Sequence, residues 1–484
     1  MEPMIRLTSI TLDDFKNTKH GKARLSSWFN GEPFPAADVV GLYGQNGSGK
    51  TSVIQAINLF KLLVTGQNVS RVVSDCVSKQ TSKSTITIKG ILFLSDDTAI
   101  AEFSYAVSLI IANDVPRICG ETLKYKNLRT SGSKSKILFE YELSDTSDRV
   151  VVSPKQKWAS LLALDSSAQF DAQLAWRLAE ENCQSLLFSF EFQKVLSLLS
   201  DAEKNSSKQI SDSARLSIES VLKPLRMVVT SLSLFGFTNL AVVSAAQQAD
   251  GMANRLHIST HEGENGIFAD NEFDVNIAKP TDLSGQEFDI LKRTICSISP
   301  VIGSLIPGLA LGVKELDRHF GDNGSVEVRA ELVCTRGDIT IPLRCESEGI
   351  KKLVSIIVLL IDVYAKPGAC VAIDEFDSGV FEFLLGEILQ VLKDHGKGQL
   401  IFTAHNLRPL EIVNDKSLIF TTANPDNRYV SFRGGRDGDN LRSRYLRAIN
   451  LGGQPEVVYS PTSKFDIDSA FYEAGLASRG GLDG

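Results

Sequence analysis

The feature that most restricts the fold of this chain is a glycine-rich loop between an apolar strand pattern and a helical pattern. The loop Gly44–Thr51 reads G-Q-N-G-S-G-K-T and matches G-x-x-x-x-G-K-[ST] without a mismatch. An apolar strand pattern over residues 39–43 runs into the loop, and a helical pattern follows over residues 51–63. A chance match in a glycine-rich loop would lack this context. The loop therefore predicts a strand–loop–helix unit of an α/β sheet that binds phosphate.

Each residue type in the loop has a physical role in holding a nucleotide. The glycines allow the tight turn that points backbone N–H groups at phosphate oxygens, and the following helix adds the positive end of its dipole. We expect Lys50 to reach the β and γ phosphates of ATP and the Thr51 hydroxyl to ligate Mg²⁺. The predicted nucleotide-binding residues of the loop are Gly44, Asn46, Gly47, Ser48, Gly49, Lys50 and Thr51.

A second apolar strand pattern ends in two acids. Residues 370–373 read C-V-A-I and are followed by Asp374 and Glu375. Because the carboxyl edge of a parallel sheet faces the ligand crevice, both acids would be delivered to the bound phosphate. We expect Asp374 to hold Mg²⁺ through water and Glu375 to act as general base on the attacking water. The competing interpretation is a strand end with two solvated acids, which the complete phosphate loop disfavours.

Two more candidate residues flank the acidic strand in the sequence. Ser347 opens a helical pattern upstream of the acids, where its hydroxyl and the backbone amides would face an anion; an ordinary N-cap is the competing interpretation. His405 follows an apolar strand pattern over residues 400–403 and would contact the γ-phosphate and report its presence. For His405 the competing interpretation is a strand-end histidine with local hydrogen bonds.

The order of these motifs resembles that of ABC-type ATPases of the SMC-like branch: phosphate loop, long insert, Ser-x-Gly helix, Asp-Glu strand and histidine. The stretch Glu346–Leu353, E-S-E-G-I-K-K-L, is similar to the degenerate signature of a bacterial subgroup related to overcoming-lysogenisation-defect proteins and to ATPases of abortive-infection and other antiphage systems. Residues 12–17 resemble that group's N-terminal strand and turn, and residues 440–447 resemble its last helix. The likeness covers residues 1–110 and 310–455.

The resemblance implies an α/β fold with an ABC-type P-loop ATPase core, in which a mixed sheet with flanking helices is joined by an antiparallel β subdomain and a helical insertion. Residues 1–150 would form the N-terminal half of the core with the phosphate loop, and residues 151–310 a mainly helical insertion. Residues 311–455 would form the C-terminal half with the signature, the acidic strand and the histidine, and residues 456–484 a tail. The insertion lacks the sustained heptads of a long coiled coil, and residues 247–270 are predicted to form an exposed loop.

The resemblance also implies a head-to-tail sandwich of two subunits. In the family, the signature serine and glycine of one protomer close over the ATP held by the phosphate loop of the other, so Ser347 and Gly349 would complete the partner's site. The expected assembly is a homodimer or higher homo-oligomer with composite ATP sites. The chain departs from the family at residues 376–382, where many relatives carry a histidine-proline pair, and no Q-loop glutamine is recognised. We therefore expect slow ATP hydrolysis, with Asp377 as a candidate for the acid that contacts the opposite site.

Two functions of different classes fit this resemblance. The first is an ATP-driven sensor and scaffold of a bacterial antiphage defence system of the abortive-infection or toxin–antitoxin kind, either PARIS-type (AriA-like) or Septu-type. Such a protein would hold a separate effector nuclease or toxin and release it when a phage-encoded trigger arrives. The alternative is an SMC-like DNA-maintenance or repair ATPase that clamps DNA. It would predict an extended coiled coil and a basic DNA-facing surface, so we rank it second, and whether nucleic acid binds stays open.

The composition narrows the class of protein. A net charge of −7 and a pI near 5.6 argue against a dedicated nucleic-acid binder. The seven cysteines form no C-x-x-C pair, so we expect reduced thiols and no zinc site. No charged, apolar leader opens the chain, and the most apolar stretch, residues 353–361, is shorter than the ~20 residues that span a bilayer. We expect a cytoplasmic protein with no membrane partner.

Overall fold

The computed structural model describes residues 4–26, 37–77, 81, 83–94, 98–143, 152–205, 211–244, 255–264, 267–320, 326–414, 417–431, 441–451, 456–459 and 461–480. The strands of these residues are β1 (Met4–Phe15), β2 (Thr18–Arg24), β3 (Asp38–Tyr43), β4 (Ser84–Phe93), β5 (Ala99–Ala112), β6 (Val115–Asn127), β7 (Lys136–Glu142), β8 (Leu240–Val243), β9 (Arg255–Glu264), β10 (Ile267–Asn276), β11 (Thr281–Ser284), β12 (Ala310–Phe320), β13 (Val326–Arg336), β14 (Ile339–Pro342), β15 (Cys370–Ile373), β16 (Gln399–Thr403), β17 (Leu418–Thr421) and β18 (Tyr429–Val430).

The α-helices of the same residues are α1 (Lys50–Val64), α2 (Ser70–Cys76), α3 (Lys155–Leu162), α4 (Ala168–Glu181), α5 (Phe190–Asn205), α6 (Asp212–Ser217), α7 (Lys223–Leu234), α8 (Gly285–Leu305), α9 (Glu348–Ala365), α10 (Glu382–His395), α11 (Leu441–Leu451) and α12 (Lys464–Gly480). Two π-helical turns, Ile218–Leu222 and Phe235–Asn239, follow α6 and α7.

The phosphate loop belongs to a sheet that both halves of the chain build together. The strand order is β18–β17–β3–β16–β15–β8, and the strands run parallel except for β18. Every residue of β3, β15, β16 and β17 is buried, as expected for strands that helices cover on both faces. Helix α1 packs on one face, and α9 and α10 pack on the other. The predicted α/β core is confirmed.

A second sheet is antiparallel throughout, with the order β2–β1–β4–β5–β6–β7. Buried residues alternate with half-buried ones along β4 and most of β5, which is the pattern of strands with one face in a core. The buried face packs against α1 and against the helices of the middle segment. This sheet is the antiparallel β subdomain that the sequence predicts.

One buried glutamine joins the two sheets. The Nε2 atom of Gln399, in β16, donates hydrogen bonds to the main-chain oxygens of Leu7 at 2.8 Å and Leu25 at 2.6 Å. Its Oε1 atom accepts from the Leu7 amide at 3.2 Å. Beside it, Arg6 of β1 and Asp38 of β3 form a buried ion pair with a 3.7 Å separation. These contacts satisfy main-chain groups of Leu7 and Leu25 and pair the Arg6 side chain, all of which the packing of the sheets removes from water.

The segment between the two halves of the core is helical only in part. Helices α3 to α7 occupy its first half, as predicted, but β8 then enters the core sheet beside β15. The core is therefore not confined to residues 1–150 and 311–455. The exposed loop predicted for residues 247–270 is wrong over β9 and β10, which pair as an antiparallel hairpin. The remaining residues of that prediction lie outside the described part of the chain.

Residues 281–342 form a third structural unit, a small sheet covered by one helix. Strands β11, β13 and β12 form a sheet in that order, with β14 paired to β13, and α8 packs on it. Ser284 begins α8 with a capping box, since its hydroxyl accepts from the Glu287 amide and the Glu287 carboxylate accepts from the Ser284 amide. Helix α9 contributes Val354 and Ile357 to this core and Leu353 and Ile356 to the core of the parallel sheet. It therefore bridges the two.

Two features of the outer surface bear on the sequence predictions. Among the described helices, one run, Asp212–Asn239, is long and apolar enough to cross a bilayer, yet half of its most apolar window is buried inside the protein. The predicted C-terminal tail contains α12, whose first twelve residues are exposed apart from Ser469.

Candidate nucleotide site

The phosphate loop requires glycine at its first position. Gly44 has φ +154°, and a Cβ atom there would lie 1.7 Å from Thr421 Oγ1. Gly47 and Gly49 have φ values of +75° and +95°, in the left-handed region that other residues adopt at a cost. The loop therefore takes the tight path predicted from the motif, and α1 begins directly after Gly49.

Strand β17 supports this loop through side-chain contacts that the sequence did not reveal. The Thr421 hydroxyl donates to the Tyr43 carbonyl at 3.1 Å and is hydrogen-bonded to the Ser48 hydroxyl. Ser48 Oγ also lies 2.5 Å from the Gln45 carbonyl oxygen, so the single proton of the Ser48 hydroxyl has two acceptors within reach, Gln45 and Thr421. Ser48 is buried, so its side chain fixes the shape of the loop. Asn46 and Gly47 line a cavity that opens beside the loop.

Lys50 points its ammonium group back over the loop. Its Nζ atom donates to the carbonyls of Gly44 at 2.7 Å and Gln45 at 3.1 Å. The residue is 7% exposed, and burial lowers the pKa of Lys50, while the nearby carboxylates, Asp374 first among them, raise it. A buried cation held by loop carbonyls can exchange those contacts for phosphate oxygens without further desolvation.

Thr51 and Asp374 meet across 323 residues of sequence. The Thr51 hydroxyl donates to Asp374 Oδ1 at 3.4 Å. The Thr403 hydroxyl donates to the same oxygen at 2.6 Å, and Asp374 is 1% exposed. Hydroxyl and carboxylate oxygens are the ligands that Mg²⁺ prefers, so the donor set of Thr51 and Asp374 fits the predicted metal.

Glu375 lies at the end of β15 with an unusual backbone. Its φ is +50°, which non-glycine residues rarely adopt. The Glu375 amide donates to Thr403 Oγ1 at 2.8 Å, and the amide of Phe376 donates to the Thr403 carbonyl at 2.9 Å. Glu375 is half-buried and lines the cavity, so its carboxylate can act on a water molecule beside the phosphate.

His405 also lines the cavity, and a carboxylate fixes its backbone. Asp377 Oδ2 accepts from the amides of His405 at 2.8 Å and Asn406 at 2.7 Å. The sequence made Asp377 a candidate for contact with an opposite site, whereas here it binds the histidine loop of its own subunit. His405 is exposed and lines the cavity, and its contact with the γ-phosphate stays a prediction.

The turn between β1 and β2 forms a second wall of the cavity. Asn17 Nδ2 donates to the Gly47 carbonyl, and its Oδ1 accepts from the Ser52 hydroxyl at 3.4 Å. Lys16, with φ +53°, donates from Nζ to Gln55 Oε1 at 2.5 Å. The family resemblance included this turn but assigned it no role. Its position adds Lys16 and Asn17 to the candidate site.

The cavity that these groups enclose has a volume of about 520 Å³. Its lining residues are Lys16, Asn17, Asn46, Gly47, Gly49, Lys50, Thr51, Ser52, Asp374, Glu375, Thr403 and His405. The predicted metal, base and histidine residues line this cavity together with five residues of the phosphate loop, whereas Gly44 and Ser48 of the loop do not line it.

Ser347 and Gly349 do not line this cavity. Ser347 is exposed and caps α9, since its hydroxyl accepts from the Ile350 amide at 3.4 Å. Gly349 packs against the turn after the acids, where a Cβ atom would lie 2.0 Å from the Gly379 carbonyl oxygen. Within one subunit both residues have structural roles, and their predicted contact with nucleotide would need a neighbouring subunit.

No protein-family model matches the sequence, and no curated protein matches it. Among solved structures, the chain is similar to an SMC head domain with an extended coiled coil bound to the C-terminal domain of ScpA from Pyrococcus furiosus, with 14% identity over 89% of this chain and 96% of that chain and a TM-score of 0.39.

Two other solved structures show the same level of similarity. For the SMC head domain from Thermotoga maritima the identity is 14% over 89% of this chain and 100% of that chain, with a TM-score of 0.36. For the recombination mediator protein RecF with ATP the identity is 14% over 84% and 93%, with a TM-score of 0.32. The interpretation of the site therefore rests on its own geometry.

Proposed function

We propose that this chain binds ATP with Mg²⁺ and hydrolyses it to ADP and phosphate. The observation that carries the proposal is the convergence of Lys50, Thr51, Asp374 and Glu375 on one cavity of about 520 Å³ from distant parts of the sequence. These are the residue types that a cradled triphosphate, a hydrated magnesium ion and an attacking water require.

The chain's own residues divide the work as follows. The loop amides and Lys50 bind and neutralise the phosphates, while Lys16 and Asn17 close the cavity from the other side. Thr51 and Asp374 would hold Mg²⁺, which would supply positive charge to stabilise the negative charge of the phosphates. Glu375 orients the attacking water and takes its proton, and His405 senses the γ-phosphate.

We also propose that two subunits share each site. Ser347 and Gly349 lie at the start of a helix, and Ser347 is exposed and outside the cavity of its own subunit. An exposed helix start suits a phosphate presented by a second copy of the chain, because backbone amides and the helix dipole both favour an anion there. The assembly is then a homodimer or a higher homo-oligomer that ATP holds together.

Two variants test these proposals. Lys50→Ala removes the buried cation and abolishes ATP binding, measured by equilibrium dialysis. Glu375→Gln retains ATP because the base is lost while the cradle stays intact, so size-exclusion chromatography shows an ATP-dependent dimer. Ser347→Ala is the companion variant for the shared site. If Glu375→Gln binds ATP but its elution never changes, the contribution of Ser347 to a partner's site is refuted.

At a finer level, we propose a sensor and scaffold subunit of a bacterial antiphage defence system that holds a separate effector nuclease or toxin. The support is the resemblance of the stretch Glu346–Leu353 to the signature of defence ATPases. The test is co-expression with the protein encoded by the adjacent gene, followed by phage challenge. ATP-dependent co-elution, and loss of protection with Lys50→Ala, would support this role; protection that is independent of Lys50 would contradict it.

The alternative function is that of an ATPase that clamps DNA. It requires a long coiled coil, whereas the longest helical run described between residues 152 and 239 is Asp212–Asn239, with 28 residues and half of its most apolar window buried inside the protein. Filter binding with a salt titration distinguishes the two functions, because phosphate contacts to DNA give a steep dependence of affinity on salt.

A further inference from the structure

Two adjacent lysines near the start of α9 have different partners. Lys351 Nζ lies 2.5 Å from Glu348 Oε1 on the same helix. Lys352 Nζ instead donates to the main-chain carbonyl of Glu375. Lys352 therefore crosses from the helix that Ser347 caps to the segment that carries the proposed base.

The hydrogen bond from Lys352 is one of three that hold the unusual backbone at Glu375. Glu375 has φ +50°, and the amides of Glu375 and Phe376 both donate to Thr403 of β16. The Glu375 carbonyl accepts from Lys352 of α9. Of these three contacts, two tie this backbone to the core sheet and one ties it to α9. The direction of the Glu375 side chain consequently depends on both elements.

A second contact joins α9 to the same segment. The first turn of α9 lies so close to the turn after the acids that a Cβ atom at Gly349 would be 2.0 Å from the Gly379 carbonyl oxygen. Gly379 has φ +75°, which shapes that turn. Two residues before Gly379, Asp377 binds the amides of the His405 loop. The start of α9 thus packs against a segment that reaches both catalytic candidates.

The charges around Lys352 strengthen its hold on Glu375. The side chain is half-buried, and burial lowers the pKa of Lys352. The carboxylates of Asp377, Glu375 and Asp374 oppose this effect in that order. A hydrogen bond donated by a cation in such surroundings is stronger than one between neutral groups.

We propose that Lys352 is a positioning residue that holds the left-handed backbone of Glu375, so that the general base of one site depends on the position of α9. The inference rests on the proposed function, in which the Ser347 end of α9 binds the nucleotide of the partner. ATP bound to the partner's phosphate loop then fixes the position of α9, and α9 fixes the direction of Glu375 in this subunit through Lys352. The two composite sites are coupled within each subunit.

The experiment compares Lys352→Met with Lys351→Met, which removes the neighbouring charge but not the contact. ATP affinity is measured by equilibrium dialysis, and kcat and the Hill coefficient by phosphate release. Lys352→Met is expected to lower kcat about 10- to 100-fold, the effect of losing one charge-assisted hydrogen bond, with an unchanged Kd for ATP and a Hill coefficient near one. Lys351→Met behaves like the wild type, and Lys352→Arg, which keeps a charged donor, restores most of kcat.

The outcomes separate this inference from the function on which it rests. A wild-type protein that hydrolyses ATP no faster than Lys50→Ala overturns both. Wild-type hydrolysis with an unaltered kcat and Hill coefficient in Lys352→Met overturns the positioning role alone, as does a kcat loss matched by an equal loss of ATP affinity. If circular dichroism shows that Lys352→Met does not fold, Lys352→Gln takes its place and must show the same loss of kcat.

Discussion

The hydroxyl of Thr403 connects the two acids of the site, and its removal is the sharpest test of how they are held. Thr403 Oγ1 donates to Asp374 Oδ1 at 2.6 Å and accepts from the Glu375 amide at 2.8 Å. The residue is 1% exposed, so water cannot replace these contacts easily. Thr403→Val keeps the shape of the side chain and exchanges only the oxygen for a methyl group.

The expected cost follows from these two hydrogen bonds. A hydrogen bond to a charged group contributes about 1.5–3 kcal/mol, and an unsatisfied buried N–H costs about 1–3 kcal/mol. The added methyl group returns about 0.8 kcal/mol by burial. We therefore expect Thr403→Val to lower the free energy of unfolding by about 3 kcal/mol, by this hydrogen-bond arithmetic. Because Asp374 and Glu375 both lose a fixed partner, kcat should fall about 10- to 100-fold.

The assay pairs Thr403→Val with Thr403→Ser, which keeps the hydroxyl and loses a methyl group. Urea denaturation gives the free energy of unfolding, and phosphate release at a series of Mg²⁺ concentrations gives kcat and the apparent metal affinity. The valine variant should need more Mg²⁺ and turn over more slowly than the serine variant. Equal kcat and equal Mg²⁺ dependence in the two variants would refute the view that this hydroxyl organises the acids.

Three further predictions follow from other contacts. Gly44→Ala should abolish ATP binding in equilibrium dialysis, since its Cβ atom would lie 1.7 Å from Thr421 Oγ1. Gly47→Ala has open space around the Cβ position, so it should lower stability only by the ~1–2 kcal/mol of a left-handed backbone and weaken ATP binding less. Gln399→Leu leaves main-chain groups of Leu7 and Leu25 without their hydrogen-bond partner, and urea denaturation should show a loss of about 3 kcal/mol or more in the free energy of unfolding. Burial raises the pKa of Glu121 above its ordinary value of 4.5, so its contribution to stability is complete below that value and is lost as pH rises through the folded-state pKa. Urea denaturation at a series of pH values should show that the free energy of unfolding falls between acid and neutral pH, and Glu121→Gln should flatten this dependence. The same pH dependence in the variant would contradict a raised pKa of Glu121.

The catalytic candidates could be predicted because their signals are local. The phosphate loop needs glycines, a lysine and a hydroxyl within eight consecutive residues, and its flanking strand and helix have their own patterns. Asp374 and Glu375 directly follow a fully apolar strand, and His405 follows another. In each case the residue type and the element that positions it are neighbours in sequence. The structure places Lys50, Thr51, both acids and His405 around one cavity.

The elements that the sequence concealed depend on distant partners. Strand β8 has four residues, and what makes it a strand is its pairing with β15 more than a hundred residues later, by the register Cys370↔Leu240 to Ile373↔Val243. The hairpin of β9 and β10 is rich in polar residues that resemble a loop. Thr403 and Thr421 are ordinary strand residues until the fold places their hydroxyls beside Asp374 and the phosphate loop.

By itself, then, the sequence determined the candidate residues of the site: a glycine-rich loop with a lysine, a pair of acids and a histidine, each specified by residues within one turn or strand end. Only the tertiary structure decided which polar side chains hold that chemistry in place, because hydrogen bonds such as those of Thr403, Lys352 and Gln399 join residues that are 23 to 392 positions apart. The sequence does not show which side chain will form a hydrogen bond with a given backbone amide or carbonyl. That pairing is fixed when the sheets and α9 pack and exclude water from the groups between them.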